Sequence, residues 1–356
     1  MRVLMTVDAR GGGVWRYAAD LAVGLRQQGV EVTLASTSPL DAGQRTEMAD
    51  GGVDDIVELA LDGNWKDDAG AIRAAAASID ALARERSVDL VHLNEALLGS
   101  FLDTGVPLLL VHHACAASIR EALGQAPELA ASPQAELTGR GLRAARAVIV
   151  PSRAFGEQIA RLYALERVPH AVHLGRASAG TADPAADGEA CGFTAARLWD
   201  PAKNIAVLDA AAALTPLPIE VAGPLADAAG RAIALPHLTT LGNLPPAAMA
   251  ARLAARPIYV SPSVYEPFGL AVLEAAQAGC ALLLSDIPSF REIWEDSAVY
   301  IDPHDARGWA EALDGLVADP ERWRRLRLAA HRQAGRYTVD AHVRHMVEVY
   351  RQLAAS

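Results

Sequence analysis

Cysteine is scarce. Cys115, Cys191 and Cys280 stand far apart in a chain of 356 residues. They make no CxxC pair and no Cys/His spacing of a zinc site. So few, and odd in number, they point to a reducing cytoplasm. Long apolar runs are missing as well. Nothing approaches the roughly 18 residues needed to cross a bilayer. The opening "MRVLMTVDAR" is too short a run for a signal peptide and is broken by Asp8 and Arg10. Positive charge is in deficit: Lys and Arg number 32 against 43 Asp and Glu, a net charge of −11. That excludes a general nucleic-acid binder, which needs a basic footprint. Catalytic signatures are absent too. There is no G-x-S-x-G elbow for a serine hydrolase. No GxGxxG with an acid about 20 residues on is there for a dehydrogenase. No Asp-x-Asp cluster is placed to hold a metal, so no metal is expected.

What is present is apolar and periodic. Hydrophobic residues make up 51% and charged ones 21%, which suits a folded chain of two domains. Short continuous apolar runs at 2–8, 30–36, 88–94, 106–113 and 147–152 read as parallel strands buried on both faces. Amphipathic helical patterns lie between them, at 14–25, 69–86 and 153–164. Residues 177–190, "ASAGTADPAADGEA", have no periodicity and read as a linker. The rhythm then restarts with strands at 191–196, 218–223, 238–243, 257–263, 280–286 and 298–303, and helices at 204–214, 246–255 and 269–279. Val343, Met346, Val347 and Tyr350 share one face of a last helix, 338–354. The expectation is two doubly wound, Rossmann-like α/β domains with a hinge near 170–190. Motif residues should lie just past strand ends, facing a cleft.

Five segments carry candidate chemistry. In "VYEPFGLAVLEAAQAGC" (264–280), Glu266 precedes a proline and so stays out of helical geometry. Gly269 permits close backbone approach, and the amino end of the following helix suits a phosphate or sugar. Glu274 lies one to two turns along, so the two acids address different parts of one ligand; the plainer alternative is one surface and one capping glutamate. In "FTAARLWDPAKN", Arg197 and Lys203 follow a strand and suit a diphosphate, or are two solvated charges around a turn. Gly11, Gly12 and Gly13 follow the first strand at the place of a phosphate loop, or make a flexible turn. His112 and His113 end a strand and point near the cleft, or fill the core; Asn94 and Glu95 end another. The arginine-rich stretch from Arg140 and Arg143 to Arg167 is a solvated face, or a patch for an acidic acceptor or anionic head groups.

These residues resemble the retaining glycosyltransferases of family 4. "SVYEPFGLAVLEAAQAG" looks like that family's Glu-x7-Glu signature. Arg197 and Lys203 match its Arg-x5-Lys phosphate pair, and "VIVPSRAF" its junction before the hinge. The order of "LGNLPPAAMAARLA" and "SDIPSFREIWEDSAVYIDPHD" is similar as well. The resemblance implies the GT-B fold: two facing Rossmann-like domains, a cleft between them, and a C-terminal helix crossing back. It divides the chain into an acceptor domain, 1–170 with 337–356, and a donor domain, 171–336. It implies that Glu274 binds the ribose and Glu266 the donor sugar, with the amides of Phe268, Gly269 and Leu270 near sugar and phosphates. Arg197 and Lys203 would hold the diphosphate. Gly242, Asn243 and Leu244 would lie near the base, Gly12 and Gly13 opposite the phosphates, and His113 beside the sugar, with His112 in reserve. This chain departs from the family in placing Asn204 after Lys203, where glycine is common, and Ser289 and Phe290 ahead of Glu292.

The expected activity is transfer of a sugar, with retained configuration, from a nucleotide-diphosphate-sugar to a carbohydrate or other hydroxyl acceptor. The nucleotide-sugar is a co-substrate; no cofactor and no nucleic-acid partner are expected. The expected location is cytoplasmic, with peripheral membrane contact through the arginine-rich stretch as an extension. The alternatives are another GT-B enzyme, a nucleotide-sugar epimerase or glycoside phosphorylase, or a non-catalytic nucleotide-sugar-binding subunit. Acceptor choice would reside in the segments 37–68 and 114–140.

Overall fold

Aliphatic runs too short for helices and buried on both faces make parallel strands. β1 (Arg2–Val7), for instance, exposes only its first residue. The computed structural model describes residues 1–10, 12–59, 61, 64–125, 132–177, 187–227 and 229–355. The chain forms two units. Met1–Glu121, Gln125–Gly175 and Val339–Ser356 make the first, and Ala122–Gly124 with Arg176–Thr338 the second. Apart from the three residues Ala122–Gly124, the chain passes between units at 175/176 and again at 338/339. Most of the linker expected at 177–190 lies outside the described residues.

The first unit adds β2 (Glu31–Ser36), β3 (Ile56–Glu58), β4 (Leu90–Leu93), β5 (Leu108–Val111), β6 (Ala147–Val150) and β7 (His170–Ala171). They form a seven-stranded sheet of order 3-2-1-4-5-6-7, parallel throughout. Helix Gly12–Gln27 buries Tyr17, Leu21 and Leu25. The last helix, Val339–Ala354, belongs to this unit and buries Val343, Met346, Val347 and Tyr350. It is pinned where the Tyr350 hydroxyl meets His92 Nδ1 at 2.6 Å.

The second unit holds β8 (Gly192–Ala195), β9 (Ile219–Ala222), β10 (Thr239–Gly242), β11 (Ile258–Ser261), β12 (Ala281–Ser285) and β13 (Val299–Ile301). Their order is 10-9-8-11-12-13, again parallel. Its core packs Trp309 and Leu313 against Ile258, Val260 and Leu283. Both sheets reverse strand order once, between β1 and β4 and between β8 and β11. At such a switch point the connections leave for opposite faces and open a crevice at the strands' carboxyl ends.

Candidate active site

In the second unit the charged residues singled out from sequence leave the two switch-point strands. After β8 the chain makes a tight turn, Pro201–Lys203. Asp200 caps it, accepting from the Ala202 amide at 3.0 Å. The same carboxylate takes Arg197, with Nη2 at 2.6 Å and Nε at 3.2 Å. The guanidinium is therefore folded back on its own loop, near the Trp199 ring, and its side chain is 57% exposed. Lys203 turns inward, its Nζ 2.5 Å from Glu266 Oε2. Asn204 follows with φ +53°, left-handed, and its amide donates to the carbonyls of Pro262 (3.1 Å) and Pro303 (2.7 Å).

Glu266, past β11, is fixed on its backbone: the Ser289 hydroxyl donates to its carbonyl at 2.5 Å. Gly269 turns the chain into helix Leu270–Gln277 with φ +94°. A Cβ there would lie 3.1 Å from the Phe290 ring and 3.3 Å from Glu266 Cγ. Gly269 is also the helix cap and has no side chain to satisfy the first amides, which leaves the positive end of the helix open to an anion. Phe268 is buried edge-on against Tyr337, ring centroids 5.6 Å apart. The recess lined by Thr194, Lys203, Tyr259, Ser263, Glu266 and Gly269 holds about 30 Å³. That is room for a water or two, not a hexose, so a ligand engaging this pair lies over it.

Glu274 has a different cation. Its Oε1 lies 2.7 Å from Arg176 Nε. The Arg176 carbonyl accepts from Gln277 Nε2 at 2.9 Å, and its amide donates to the Tyr337 carbonyl at 3.1 Å. The two acids are thus separately paired and share no proton. At the sheet's edge β10 ends on Gly242, followed by exposed Asn243 and half-buried Leu244. The Gly242 carbonyl accepts from the Gly223 amide at 2.8 Å. Gly223 admits no side chain, since a Cβ would fall 1.8 Å from the Ala196 carbonyl oxygen.

The first unit has its own polar cluster at its switch point. Gly12 and Gly13 open helix Gly12–Gln27, exposed; Gly11 lies outside the described residues. At the end of β1, Asp8 is bound by Arg10 (2.7 Å), Lys66 (2.9 Å) and Ser38 (2.9 Å). Burial opposes its ionisation, yet Arg10 and Lys66 hold its carboxyl well below the usual range. Glu95, buried after β4, accepts from Thr6 Oγ1 at 2.7 Å, and burial raises its carboxyl. His113 Nε2 lies 2.8 Å from Asn94 Oδ1. The Asn94 amide nitrogen donates to the Thr6 carbonyl at 2.7 Å, which fixes its oxygen toward the imidazole. Nε2 therefore carries the proton and Nδ1 is left as an acceptor. Burial, edge-on to Tyr17, lowers the His113 pKa to about 3. His112 goes the other way, stacked on Phe155 at 5.7 Å.

Two family models match: Glycosyltransferase Family 4 over residues 11–176 and Glycosyl transferases group 1 over 220–333. The D-inositol 3-phosphate glycosyltransferase of Xylanimonas cellulosilytica is 30% identical over 283 residues, 69% of this chain and 66% of that one. The chain belongs to the GT-B glycosyltransferases. The alpha-maltose-1-phosphate synthase of Mycolicibacterium smegmatis is 34% identical over 112 residues, so the chain spans only 29% of that relative's length. Among solved structures, the sucrose-phosphate synthase of Thermosynechococcus elongatus superposes with a TM-score of 0.77 at 19% identity, covering 100% of both chains. Anabaena HepE in complex with UDP-glucose gives 0.77 at 17%, covering 99% of this chain and 100% of that one. Both carry the same fold.

In this glycosyltransferase the structure brings Lys203, Glu266, Gly269 and the helix amino end together. It leaves Arg197 outside the recess, held by Asp200. The fold assigns Arg176 and Ser289 to the two glutamates, and neither was singled out for that from sequence. Their partners lie 98 and 23 residues away, and no local spacing marks either one. The arginine-rich stretch is largely engaged within the first unit: Arg143 with the Tyr163 carbonyl, Arg153 with Glu157, Arg161 with Glu121. Among the described residues no helix is long and apolar enough to cross a membrane.

Proposed function

We propose that the chain transfers a sugar from a nucleoside-diphosphate-sugar to an acceptor hydroxyl with retained anomeric configuration. The observation that carries this reading is Lys203 paired to Glu266 beside an uncapped helix amino end, at the switch point of the second sheet. A diphosphate there meets Lys203 and the open amides of Gly269 and Leu270, with Arg197 swinging from Asp200 to join them. Glu266, released from the lysine, accepts from hydroxyls of the donor sugar. Glu274 accepts from the ribose, and Gly242, Asn243 and Leu244 flank the base. UDP-glucose bound to the similarly folded HepE supports a donor of this class.

In the reaction the bond from the anomeric carbon to the diphosphate oxygen breaks, and its electron pair leaves on the phosphate. The acceptor oxygen bonds the same carbon on the same face, and its proton passes to the departing phosphate. Charge grows on the diphosphate as this happens, so donors fixed at that position lower the barrier. In the first unit His113, neutral at pH 7, leaves Nδ1 as an acceptor for a hydroxyl. No metal is assigned a role.

A thermal-shift panel of nucleoside diphosphates and nucleotide-sugars identifies the donor, since a ligand at 100 times its dissociation constant adds about 2.7 kcal/mol. With that donor, Lys203→Ala should lower kcat by about 10²–10³, and NMR of the product should show the donor's anomeric configuration. A flat panel, or Lys203→Ala turning over like the native chain, defeats the reading.

A further inference from the structure

Arg176 is the first residue of the second unit's long segment, and it is held to one helix at two points. Its guanidinium takes Glu274 at 2.7 Å, and its carbonyl takes Gln277 at 2.9 Å. Glu274 and Gln277 are three residues apart on helix Leu270–Gln277 and so share a face. Gln277 is itself buried, and the Arg176 side chain is only 18% exposed. The Arg176 amide is tied in turn to the Tyr337 carbonyl. The arginine is therefore fixed by its backbone before its side chain reaches out. The glutamate it reaches is 34% exposed on its side chain. An unheld glutamate at such a position samples several rotamers. A carboxylate has about four lone-pair positions, and the Arg176 Nε bond takes one of them on Oε1.

Charge gives a second reason for this pairing. A bare carboxylate close to a diphosphate repels it, and an arginine on the carboxylate's far side removes that cost. We propose that Arg176 is a positioning residue for nucleotide recognition, holding the Glu274 carboxylate where it accepts the two ribose hydroxyls. This rests on the donor reading above and adds to it the group that makes the ribose contact selective.

The test is calorimetric titration of the full chain with UDP, GDP and ADP, then with the 2′,3′-dideoxy form of whichever binds. The native protein should prefer the ribose form by roughly 10-fold or more, the scale of hydrogen bonds to a charged group. Arg176→Met should weaken the ribose form by about 10-fold and the dideoxy form by less than about twofold, so that the preference collapses. Arg176→Lys should recover part of it, since it keeps the charge without the planar fork. In a Glu274→Gln background, Arg176→Met should cost nothing further. Equal weakening of both ligands by Arg176→Met would mean that the arginine only supports the fold, and an unchanged preference would mean that it does not act on Glu274; either overturns the inference and leaves the donor site standing. Failure of the native chain to bind any of the three nucleotides removes the donor reading, and this inference with it.

Discussion

Asn204 solves a problem of conformation with a side chain. A left-handed residue is needed after the Lys203 turn, where glycine would be the plain choice. Asparagine tolerates this region better than other residues with a Cβ. Here its amide also bridges the carbonyls of Pro262 and Pro303, joining the turn to the segments after β11 and β13. Asn204→Ala should lower the second unit's stability in urea by about 2–4 kcal/mol, combining left-handed strain with two lost hydrogen bonds. Asn204→Gly should lose the bonds without the strain and fall between alanine and native. Equal losses for the two variants would mean that the φ value is not what asparagine serves. The sequence marks this residue as a departure from glycine but not its bonds, whose acceptors lie 58 and 99 residues on. Charges in apolar surroundings are legible because burying them needs a reason. Which charge meets which is not: Lys203, read as a phosphate ligand, rests on Glu266, 63 residues away.

At the scale of elements, the strands that form each sheet's interior are plain in the sequence because burial on both faces leaves unbroken apolar runs. The run at 280–286 becomes β12 at Ala281–Ser285, buried at every position. Edges and short elements lack that signal. β7 has two residues, and β3 has three, none fully buried. Helix Ala42–Asp50, inside a segment read only as an acceptor loop, buries Met48 alone and so shows no apolar stripe. Its mark is a capping box, Asp41 with Gln44, at its start. Helix Leu270–Gln277 is set by Gly269, whose φ of +94° aims both the helix amides and Glu266. Gly269→Ala should cost the second unit about 1–2 kcal/mol from the backbone alone, plus displacement of Phe290 or Glu266, which a Cβ would crowd. Gly269→Asn, which tolerates φ above zero, should recover about 1 kcal/mol of that while keeping the crowding. If urea unfolding ranks asparagine no better than alanine, the side-chain contacts and not the turn decide the site's geometry.

Acid should weaken the two units unequally. In the first unit burial lowers His92 to about 3 and His342 to about 4. Both are at most 5% exposed, and they sit around Tyr17 and Tyr350, where the last helix meets the sheet. Unfolded, each titrates near pH 6.5. Above that value neither state holds the proton and nothing is at stake. As pH falls toward 4 the unfolded chain takes up two protons that the folded unit refuses, so stability is lost. Glu95 works the other way: its carboxyl, raised by burial, takes a proton in the folded state first. His113, lowered like His92, reinforces the loss. A net uptake of at least one proton on unfolding remains, about 1.4 kcal/mol per pH unit between pH 6 and 4.5. Asp8, held low, begins to matter only below this window. In the second unit His237 and His304 are exposed and His331 is half-buried. Urea titrations at pH 7.5 and 5.0, read by limited proteolysis mapped with mass spectrometry, should show cleavage of the first unit at lower urea in acid while the second moves little. His342→Gln should flatten the first unit's pH dependence. Parallel shifts of both units would place the acid sensitivity elsewhere than in the buried imidazoles under the last helix.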